Sequence, residues 1–329
     1  MKFGVVGAGS WGTAVAGLLA EEQEVKIWDI QSAVVEQIDD KNKNDRYLPD
    51  VKLPGSLLGA QDLAELLDFA DSLVIAVPSH AFRSVVEKFS DSAQEFRHLI
   101  VLTKGFDPES SRRLSEVYSS LAGSLENYYL LTGPSHAGEV ARRRPSTVVI
   151  GGGTTPGRQE LQDIFFRDYF RVYTNSDLVG LEMGGALKNI IAIAAGIADG
   201  LDFGVNARAA LITRGMNDLR EIADFEGASP RTLYGLSGLG DLIVTATSDL
   251  SRNYRCGRLI AGGASVQEAI DEIGQVVEGI KTTSSAMQRI RRGDLRAPII
   301  RMVSKVLKDE ISPRRAVEKL MNRRAREEF

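Results

Sequence analysis

The sequence has few residues that build metal sites or disulfides. It contains one cysteine, Cys256, and three histidines, His80, His98 and His136, in 329 residues. A single thiol cannot form an internal disulfide, and the three scattered histidines do not show the spacing of zinc ligands. The sequence therefore predicts a metal-free protein without disulfides, as is typical of the cytoplasm.

The chain also lacks a strong charge of either sign and a long hydrophobic run. Its formal net charge is −4, and 43% of its residues are hydrophobic. This composition is typical of a soluble globular protein and offers no electrostatic reason to bind nucleic acid. The longest apolar stretch, 183–198, is shorter than the ~20 residues of a membrane span. Because the apolar amino-terminal segment "MKFGVVGAGSWG" is broken by glycines and lacks signal-peptide features, we expect a cytoplasmic protein without membrane insertion.

Short β-rich runs alternate with helical segments in the first half of the chain. The runs include "KFGVVG", "EVKIW", "SLVIAV", "HLIVLT", "YYLLT" and "TVVIG". Such alternation predicts parallel strands joined by crossover helices, and continuous Val/Ile/Leu runs are typical of a sheet covered on both faces. Strand signals end with "FRVYT", and the remainder has the pattern of helices separated by Gly, Pro and Ser.

The predicted architecture is therefore α/β followed by all-α. Residues 1–178 are predicted to form a Rossmann-type, doubly wound, dinucleotide-binding domain. Residues 179–329 are predicted to form an all-helical substrate domain. We expect ligands to bind in a cleft between the two domains.

A glycine-rich loop follows the first predicted strand. Gly7, Gly9 and Gly12 have the spacing in which the first glycine permits a tight turn, the second lets a pyrophosphate approach and the third allows close helix packing. Asp29 follows the second predicted strand, where a carboxylate accepts the ribose 2′-hydroxyl. Because no Arg or Lys follows before Lys41, we expect NAD to be preferred to NADP. The alternatives are that Asp29 only begins a turn, or that a basic group arrives from elsewhere in the fold.

Three further predicted strands end in polar residues, in "AVPSHAF", "LTKGF" and "LTGPSHAGE". The carboxyl ends of parallel strands face the ligand cleft. Lys104 closes one of these strands, so we expect its ammonium group to point towards cofactor and substrate. His136 is a weaker candidate for a general base than Lys188, since its Gly/Pro turn suits the exposure of backbone amides.

The second domain contains a candidate anion site. Asp241 lies among glycines in "GLSGLGDLIVT" and is followed by Thr245, and Ser251, Arg252 and Asn253 then open a predicted helix. We expect Ser251 to cap this helix. The amino end of the helix would favour an anion, and the forked guanidinium group of Arg252 would bind a phosphate there. The alternative is a capped helix with a surface arginine.

The apolar helix "MGGALKNIIAIAAGIADG" contains Lys188 and Asn189. Because a buried charge is costly, Lys188 is a candidate general acid/base when taken together with the glycine loop and the anion site at 251–253. Desolvation and a nearby Lys104 would both favour loss of its proton. The residues on its helical face are Gly184, Gly185, Ile191 and Ala192, with Ala195 two turns on. The small side chains among them predict room for substrate and nicotinamide. The alternative is a lysine that extends from a core helix to solvent.

An ordered set of motifs spans nearly the whole chain: "GAGSWGTA", "PSHAF", "TKG", "GPSHAGEVA", "GGALKNIIAIAAGIADG", "NARAALITRG", "GLGDLIVT", "SRNYRCG" and "QVVEG". Together they resemble the NAD(P)-dependent glycerol-3-phosphate dehydrogenases of bacteria and eukaryotes. The resemblance implies reversible reduction of dihydroxyacetone phosphate to sn-glycerol 3-phosphate, a phospholipid precursor. Asp29 departs from NADP-preferring members, in which this position is often not acidic. The apolar helical second domain predicts a homodimer.

Together with the patterns above, the resemblance implies roles for individual residues. The catalytic group would be Lys188, with Lys104 and Asp241. Cofactor contacts would be Gly7, Gly9, Ser10, Trp11, Gly12, Asp29, Lys104, Ala137, Arg252, Val276 and Glu278. Substrate contacts would be Lys104, Gly133, Ser135, Lys188, Asn189, Asp241, Thr245, Ser251, Arg252 and Asn253. Two other functions stay open on the residues alone: a β-hydroxyacid dehydrogenase with a carboxylate pocket, and an NAD-sensing regulator without turnover.

Overall fold

The computed structural model describes residues 1–324 and 327, and the chain divides into two compact units, Met1–Glu182 and Met183–Phe329. The strands of the first unit are β1 (Lys2–Val6), β2 (Glu24–Trp28), β3 (Leu57–Gly59), β4 (Ser72–Ile75), β5 (His98–Val101), β6 (Tyr128–Thr132), β7 (Ser146–Gly152) and β8 (Phe170–Asn175). Its helices are α1 (Ser10–Leu19), α2 (Ser32–Lys41), α3 (Leu63–Phe69), α4 (Ser79–Glu87), α5 (Leu114–Ala122), α6 (Ala137–Ala141) and α7 (Thr155–Phe165), with a 3₁₀ turn at Ser90–Ser92.

The eight strands form one sheet in the order β3-β2-β1-β4-β5-β6-β7-β8. The first six strands of this order pair in parallel, which confirms the doubly wound, Rossmann-type prediction. The central strands β4, β5 and β6 are buried along their whole length, whereas the edge strand β8 alternates between buried and exposed residues. This difference follows from coverage, because an edge strand has less protein around it than a central one.

One expectation about the strands was wrong, and one strand was not predicted. The "TVVIG" strand, β7, runs antiparallel to β6 instead of parallel, and β8 is parallel to β7. The connection between β6 and β7 carries only the five-residue helix α6, whereas a parallel crossover usually needs a full helix. The three-residue β3 was not predicted, since so short a strand leaves no periodic pattern in a stretch rich in Pro and Gly.

The chain reverses its winding direction at β1, which pairs with both β2 and β4. In open α/β sheets, ligands bind outside the carboxyl ends of the strands at this switch point. The glycine loop follows β1 directly, and α4 follows β4 after a turn at Pro78. The sheet order therefore brings the first predicted ligand-binding segments to one edge of the sheet.

Over its described residues, the second unit is helical. Its helices are α8 (Leu178–Gly200), α9 (Gly204–Phe225), α10 (Pro230–Leu233), α11 (Asp241–Ala246), α12 (Arg252–Ala261), α13 (Val266–Ile273), α14 (Glu278–Arg292), α15 (Pro298–Leu307) and α16 (Pro313–Met321), with a π-helical turn at Leu236–Gly240. The division between the units falls within α8, and the predicted boundary between 178 and 179 falls at the start of the same helix.

Glycines set the close packing of α8 in the second unit. A Cβ atom on Gly196 would lie 2.0 Å from the carbonyl oxygen of Tyr254, and one on Gly257 would lie 2.1 Å from that of Ile193. The backbones of α8 and α12 therefore touch. Of the helices in the described part of the chain, α8 alone is long and apolar enough to cross a membrane, and 89% of its apolar window is buried inside the protein. Such burial is typical of a core helix.

Candidate active site

The glycine loop combines strain, close packing and open space. Gly7 has a φ of +105°, and a Cβ there would lie 2.8 Å from the Ala76 carbonyl oxygen. A Cβ on Gly12 would lie 2.0 Å from the Gly7 oxygen, so α1 packs directly on the loop. A Cβ on Gly9 would meet no described atom within 4 Å. The loop thus fits a dinucleotide, because Gly9 leaves its backbone open to a pyrophosphate at the amino end of a helix.

A matched pair of substitutions separates packing from cofactor binding. Gly12→Ala is expected to destabilise the protein by about 1–3 kcal/mol, because the new Cβ overlaps the loop backbone. Gly9→Ala is expected to leave the melting temperature of the cofactor-free protein unchanged and to weaken NADH binding, since its Cβ enters open space. Calorimetry and NADH titration measure the two effects. Wild-type NADH affinity in Gly9→Ala would contradict a pyrophosphate site at this loop.

Asp29 holds the end of β2 against the glycine loop. Its Oδ2 accepts a hydrogen bond from Ala8 N (2.7 Å), and its Oδ1 accepts one from Gln31 N (3.0 Å). The carboxylate therefore also shapes a turn, which was the alternative interpretation. Each oxygen retains a lone pair for a ribose hydroxyl. The preference for NAD stays a prediction.

A segment that the sequence did not indicate supports the loop from the other side. Asn44 is fully buried, and its Nδ2 donates to Ala8 O and Thr13 Oγ1, both at 2.8 Å. Ser10 Oγ donates to Tyr47 O at 2.7 Å. The sequence did not indicate Asn44 or Tyr47, because an isolated Asn or Tyr in a loop belongs to no periodic pattern or motif.

Three predicted ligand contacts meet at the carboxyl ends of β5 and β6. Lys104 is half-buried, and its Nζ donates to Gly133 O at 3.4 Å. Ser135 Oγ donates to the same oxygen at 3.0 Å, and Gly133 has a φ of +131°. The turn after β6 therefore brings a cation and a hydroxyl together. Ala137 begins α6 in the same segment, and Trp11 packs partly buried against the core of the first unit.

The second unit contains a buried, charged cluster around Lys188. This residue is 5% exposed, and its Nζ donates to Asp241 Oδ1 and, at 2.7 Å, to Thr245 Oγ1. The Thr245 hydroxyl in turn donates to the Asp241 carbonyl oxygen. The ammonium group therefore ends on a carboxylate inside the protein instead of reaching solvent. Its pairing with Asp241 favours the charged form, in opposition to desolvation.

The π-helical turn positions Asp241, which begins α11 directly after it. A Cβ on Gly238, within this turn, would lie 2.0 Å from the Leu233 carbonyl oxygen. Gly238 is therefore required for a compact turn. Such π-helical turns occur frequently at functional sites.

The small residues beside Lys188 are covered by protein. A Cβ on Gly184 would lie 2.9 Å from the Ser237 carbonyl oxygen, and Gly185 and Ala192 are buried. The expectation that Gly184 leaves room for reactants is therefore wrong. Helical spacing shows which side chains share a face but not which segment packs on it.

Two asparagines form a hydrogen-bonded chain next to this cluster. Asn253 Nδ2 donates to Asn189 Oδ1, and Gly279 N donates to Asn253 Oδ1, both at 2.9 Å. Both asparagine side chains are buried. The chain ties α8, α12 and the first turn of α14 together.

The start of α12 has the expected cap. Ser251 Oγ accepts from Tyr254 N at 3.3 Å, and Arg252 is the first helical residue. The Arg252 side chain is exposed. Desolvation by the surrounding protein nevertheless lowers the pKa of its guanidinium group, and the negative charge of Glu278 opposes this shift. The group stays charged, because the pKa of an arginine ordinarily lies far above neutral pH. Glu278 begins α14, and Val276 lies two residues before it.

The predicted residues thus form two groups, one in each unit. The first unit holds Gly7, Gly9, Ser10, Trp11, Gly12, Asp29, Lys104, Gly133, Ser135 and Ala137. The second unit holds Lys188, Asn189, Asp241, Thr245, Ser251, Arg252, Asn253, Val276 and Glu278.

Comparison with known proteins gives consistent matches over the whole chain. The family model of the NAD-dependent glycerol-3-phosphate dehydrogenase N-terminus matches residues 2–155, and the family model of the C-terminus matches residues 177–318. A glycerol-3-phosphate dehydrogenase [NAD(P)+] of Carboxydothermus hydrogenoformans is 44% identical, covering 100% of this chain and 98% of the relative. One from Geobacillus thermodenitrificans is 42% identical, covering 99% and 96%.

A solved structure has the same fold. The crystal structure of glycerol-3-phosphate dehydrogenase from Coxiella burnetii superposes with a TM-score of 0.93 at 36% sequence identity. The superposition covers 98% of this chain and 99% of that one.

Proposed function

Since the chain belongs to the NAD-dependent glycerol-3-phosphate dehydrogenase family, we propose how its residues divide the reaction between them. The protein is an NAD(P)-dependent oxidoreductase that interconverts sn-glycerol 3-phosphate and dihydroxyacetone phosphate. The buried cluster of Lys188, Asp241 and Thr245 carries the assignment of the catalytic group. A protein interior seldom holds an ammonium group without a functional or structural partner.

Lys188 is the proton-transfer group. A dinucleotide bound at the glycine loop would supply the hydride donor or acceptor for C2 of the substrate. During oxidation the neutral amine of Lys188 takes the hydroxyl proton and becomes the ammonium, and during reduction the ammonium gives a proton to the ketone oxygen. Asp241 favours the protonated ammonium, which is the form that donates to a ketone. Thr245 orients Nζ, because its hydroxyl accepts from the lysine while it donates to the Asp241 backbone.

The start of α12 holds the substrate phosphate. Arg252 offers forked donors, and the amino end of the helix adds a favourable dipole. Asn189 and Asn253 then contact the glycerol moiety. Lys104, at the end of β5, contacts both cofactor and substrate, with Gly133 and Ser135 beside it.

An assay of substrate and cofactor range tests this function. Dihydroxyacetone phosphate is expected to drive the oxidation of NADH, with a higher kcat/KM than for NADPH if Asp29 selects NAD. Turnover of β-hydroxyacids, with none of dihydroxyacetone phosphate, would support the hydroxyacid dehydrogenase instead. Tight NADH binding without any turnover would support the regulator.

The cellular setting follows from the same reasoning. We propose a cytoplasmic homodimer that supplies sn-glycerol 3-phosphate for phospholipid synthesis and binds neither nucleic acid nor membrane. The single buried cysteine supports the cytoplasmic setting, the small net charge supports the lack of nucleic-acid binding, and the burial of α8 supports the lack of membrane insertion. Light scattering that gave the mass of a single chain would contradict the dimer.

A further inference from the structure

The segment that follows α2 links an arginine to the end of β2 through a chain of contacts. The guanidinium carbon of Arg46 lies 5.4 Å from the centre of the Tyr47 ring. The Tyr47 hydroxyl accepts a hydrogen bond from Gln31 Nε2 at 2.8 Å, and Gln31 N donates to Asp29. This chain of contacts links Arg46 to the strand end where a Rossmann-type domain holds the adenosine ribose.

The position of Arg46 is defined by its neighbours. Asn44 hydrogen-bonds to Ala8 and Thr13, and Ser10 hydrogen-bonds to the Tyr47 backbone, so the segment is attached to the glycine loop on both sides of Arg46. Stacking on Tyr47 holds the guanidinium near the ring while its side chain stays exposed. A cation is therefore connected to Asp29 through Tyr47 and Gln31, although the sequence after β2 has no Lys or Arg between Gln31 and Asp40.

Asp29 is less of an obstacle to a phosphate than its charge suggests. Both of its carboxylate oxygens accept a backbone N–H, from Ala8 and from Gln31. These hydrogen bonds compensate part of the negative charge and hold the carboxylate in place. A neighbouring arginine then compensates the charge of a 2′-phosphate, whose oxygens match the guanidinium fork.

We propose that Arg46 binds the 2′-phosphate of NADP(H), so that one site accepts both NAD and NADP. The inference rests on the dinucleotide site proposed above. With NAD, Asp29 accepts the free 2′-hydroxyl and Arg46 stays on Tyr47. With NADP, the Arg46 guanidinium pairs with the phosphate at the same ribose.

Equilibrium titrations test the proposal without any turnover. The ligands are NADPH, NADH, adenosine 2′,5′-bisphosphate and adenosine 5′-monophosphate, and calorimetry measures each Kd. Arg46→Ala is expected to raise the Kd of NADPH and of the bisphosphate about 10-fold or more, because a charge-assisted phosphate contact is lost. The Kd of NADH and of the monophosphate should change by less than about twofold. Lys43→Ala, an equal charge change on the same exposed segment, should leave all four Kd values near wild type.

Three outcomes would overturn the proposal. The first is an unchanged Kd for NADPH in Arg46→Ala. The second is an equal loss of NADH and NADPH, which would mean that Arg46 only supports Tyr47. The third is an equal effect of Lys43→Ala, which would mean diffuse attraction. Arg46→Lys should lose part of the NADPH affinity, since it keeps the charge without the fork. Absence of dihydroxyacetone phosphate reduction would refute the proposed function and leave these affinities as they are.

Discussion

Replacing Lys188 with alanine is expected to lower kcat by about 10²- to 10⁴-fold, the range that general acid–base catalysis contributes. The hydride donor and the phosphate site stay intact, so KM for dihydroxyacetone phosphate and Kd for NADH should change much less. Steady-state kinetics in both directions, together with NADH titration, separate these effects. A loss confined to kcat is the signature of an interaction made in the transition state.

The control for this variant must address folding. Removing Lys188 leaves Asp241 buried without its cation, and breaking a buried pair costs about 3–5 kcal/mol. The double variant Lys188→Met/Asp241→Asn removes both charges at similar volume, and it should fold stably while staying inactive. Lys281→Ala, an exposed lysine of α14 in the same unit, should be as active as wild type.

Near-wild-type turnover in a folded Lys188 variant would refute its role as the proton-transfer group. Lys188 would then only compensate the charge of Asp241, and the acid/base would have to be sought elsewhere. Melting temperatures of all variants decide between inactivity and misfolding.

The second large effect is expected at the start of α12. Arg252→Ala should raise KM for dihydroxyacetone phosphate by about 10- to 100-fold, since a hydrogen-bonded charged group contributes about 1.5–3 kcal/mol. Activity on dihydroxyacetone, which lacks the phosphate, should be nearly unchanged. The comparison of the two substrates isolates the phosphate contact.

Arg255→Ala is the matched control, because Arg255 is exposed on the same helix. It should leave both KM values near wild type. Equal weakening of dihydroxyacetone and its phosphate by Arg252→Ala would contradict a phosphate role. Since Arg252 is also a predicted cofactor contact, KM for NADH is measured in parallel.

Local patterns predicted much of the first unit. The glycine loop was predictable because each glycine is required by a constraint within a few residues. Gly7 has a positive φ, and Gly12 packs against the Gly7 oxygen. The strands were predictable because strands buried on both faces consist of continuous apolar residues. The antiparallel β7 was not predicted, since pairing direction depends on which strand the chain returns to.

Such local patterns could not predict contacts between residues that are far apart in the sequence. Spacing in sequence marked Lys188 and Asp241 as candidates, but their contact depends on the packing of α8 against α11. The same holds for Gly184, whose small size serves the approach of Ser237. Arg46 is linked to Asp29 only through contacts with Tyr47 and Gln31, so no sequence motif indicated it.

Sequence patterns were enough to predict the two-part architecture, the dinucleotide loop and the family resemblance, because these depend on hydrophobic periodicity and on residue types at short, regular spacings. The pairing of Lys188 with Asp241 inside the protein and the hydrogen bond between Asp29 and the loop are visible only in the folded chain. The physical reason is that a charge or a polar group is compensated by whatever the fold brings within about 3 Å, and that neighbour is often far away in the chain.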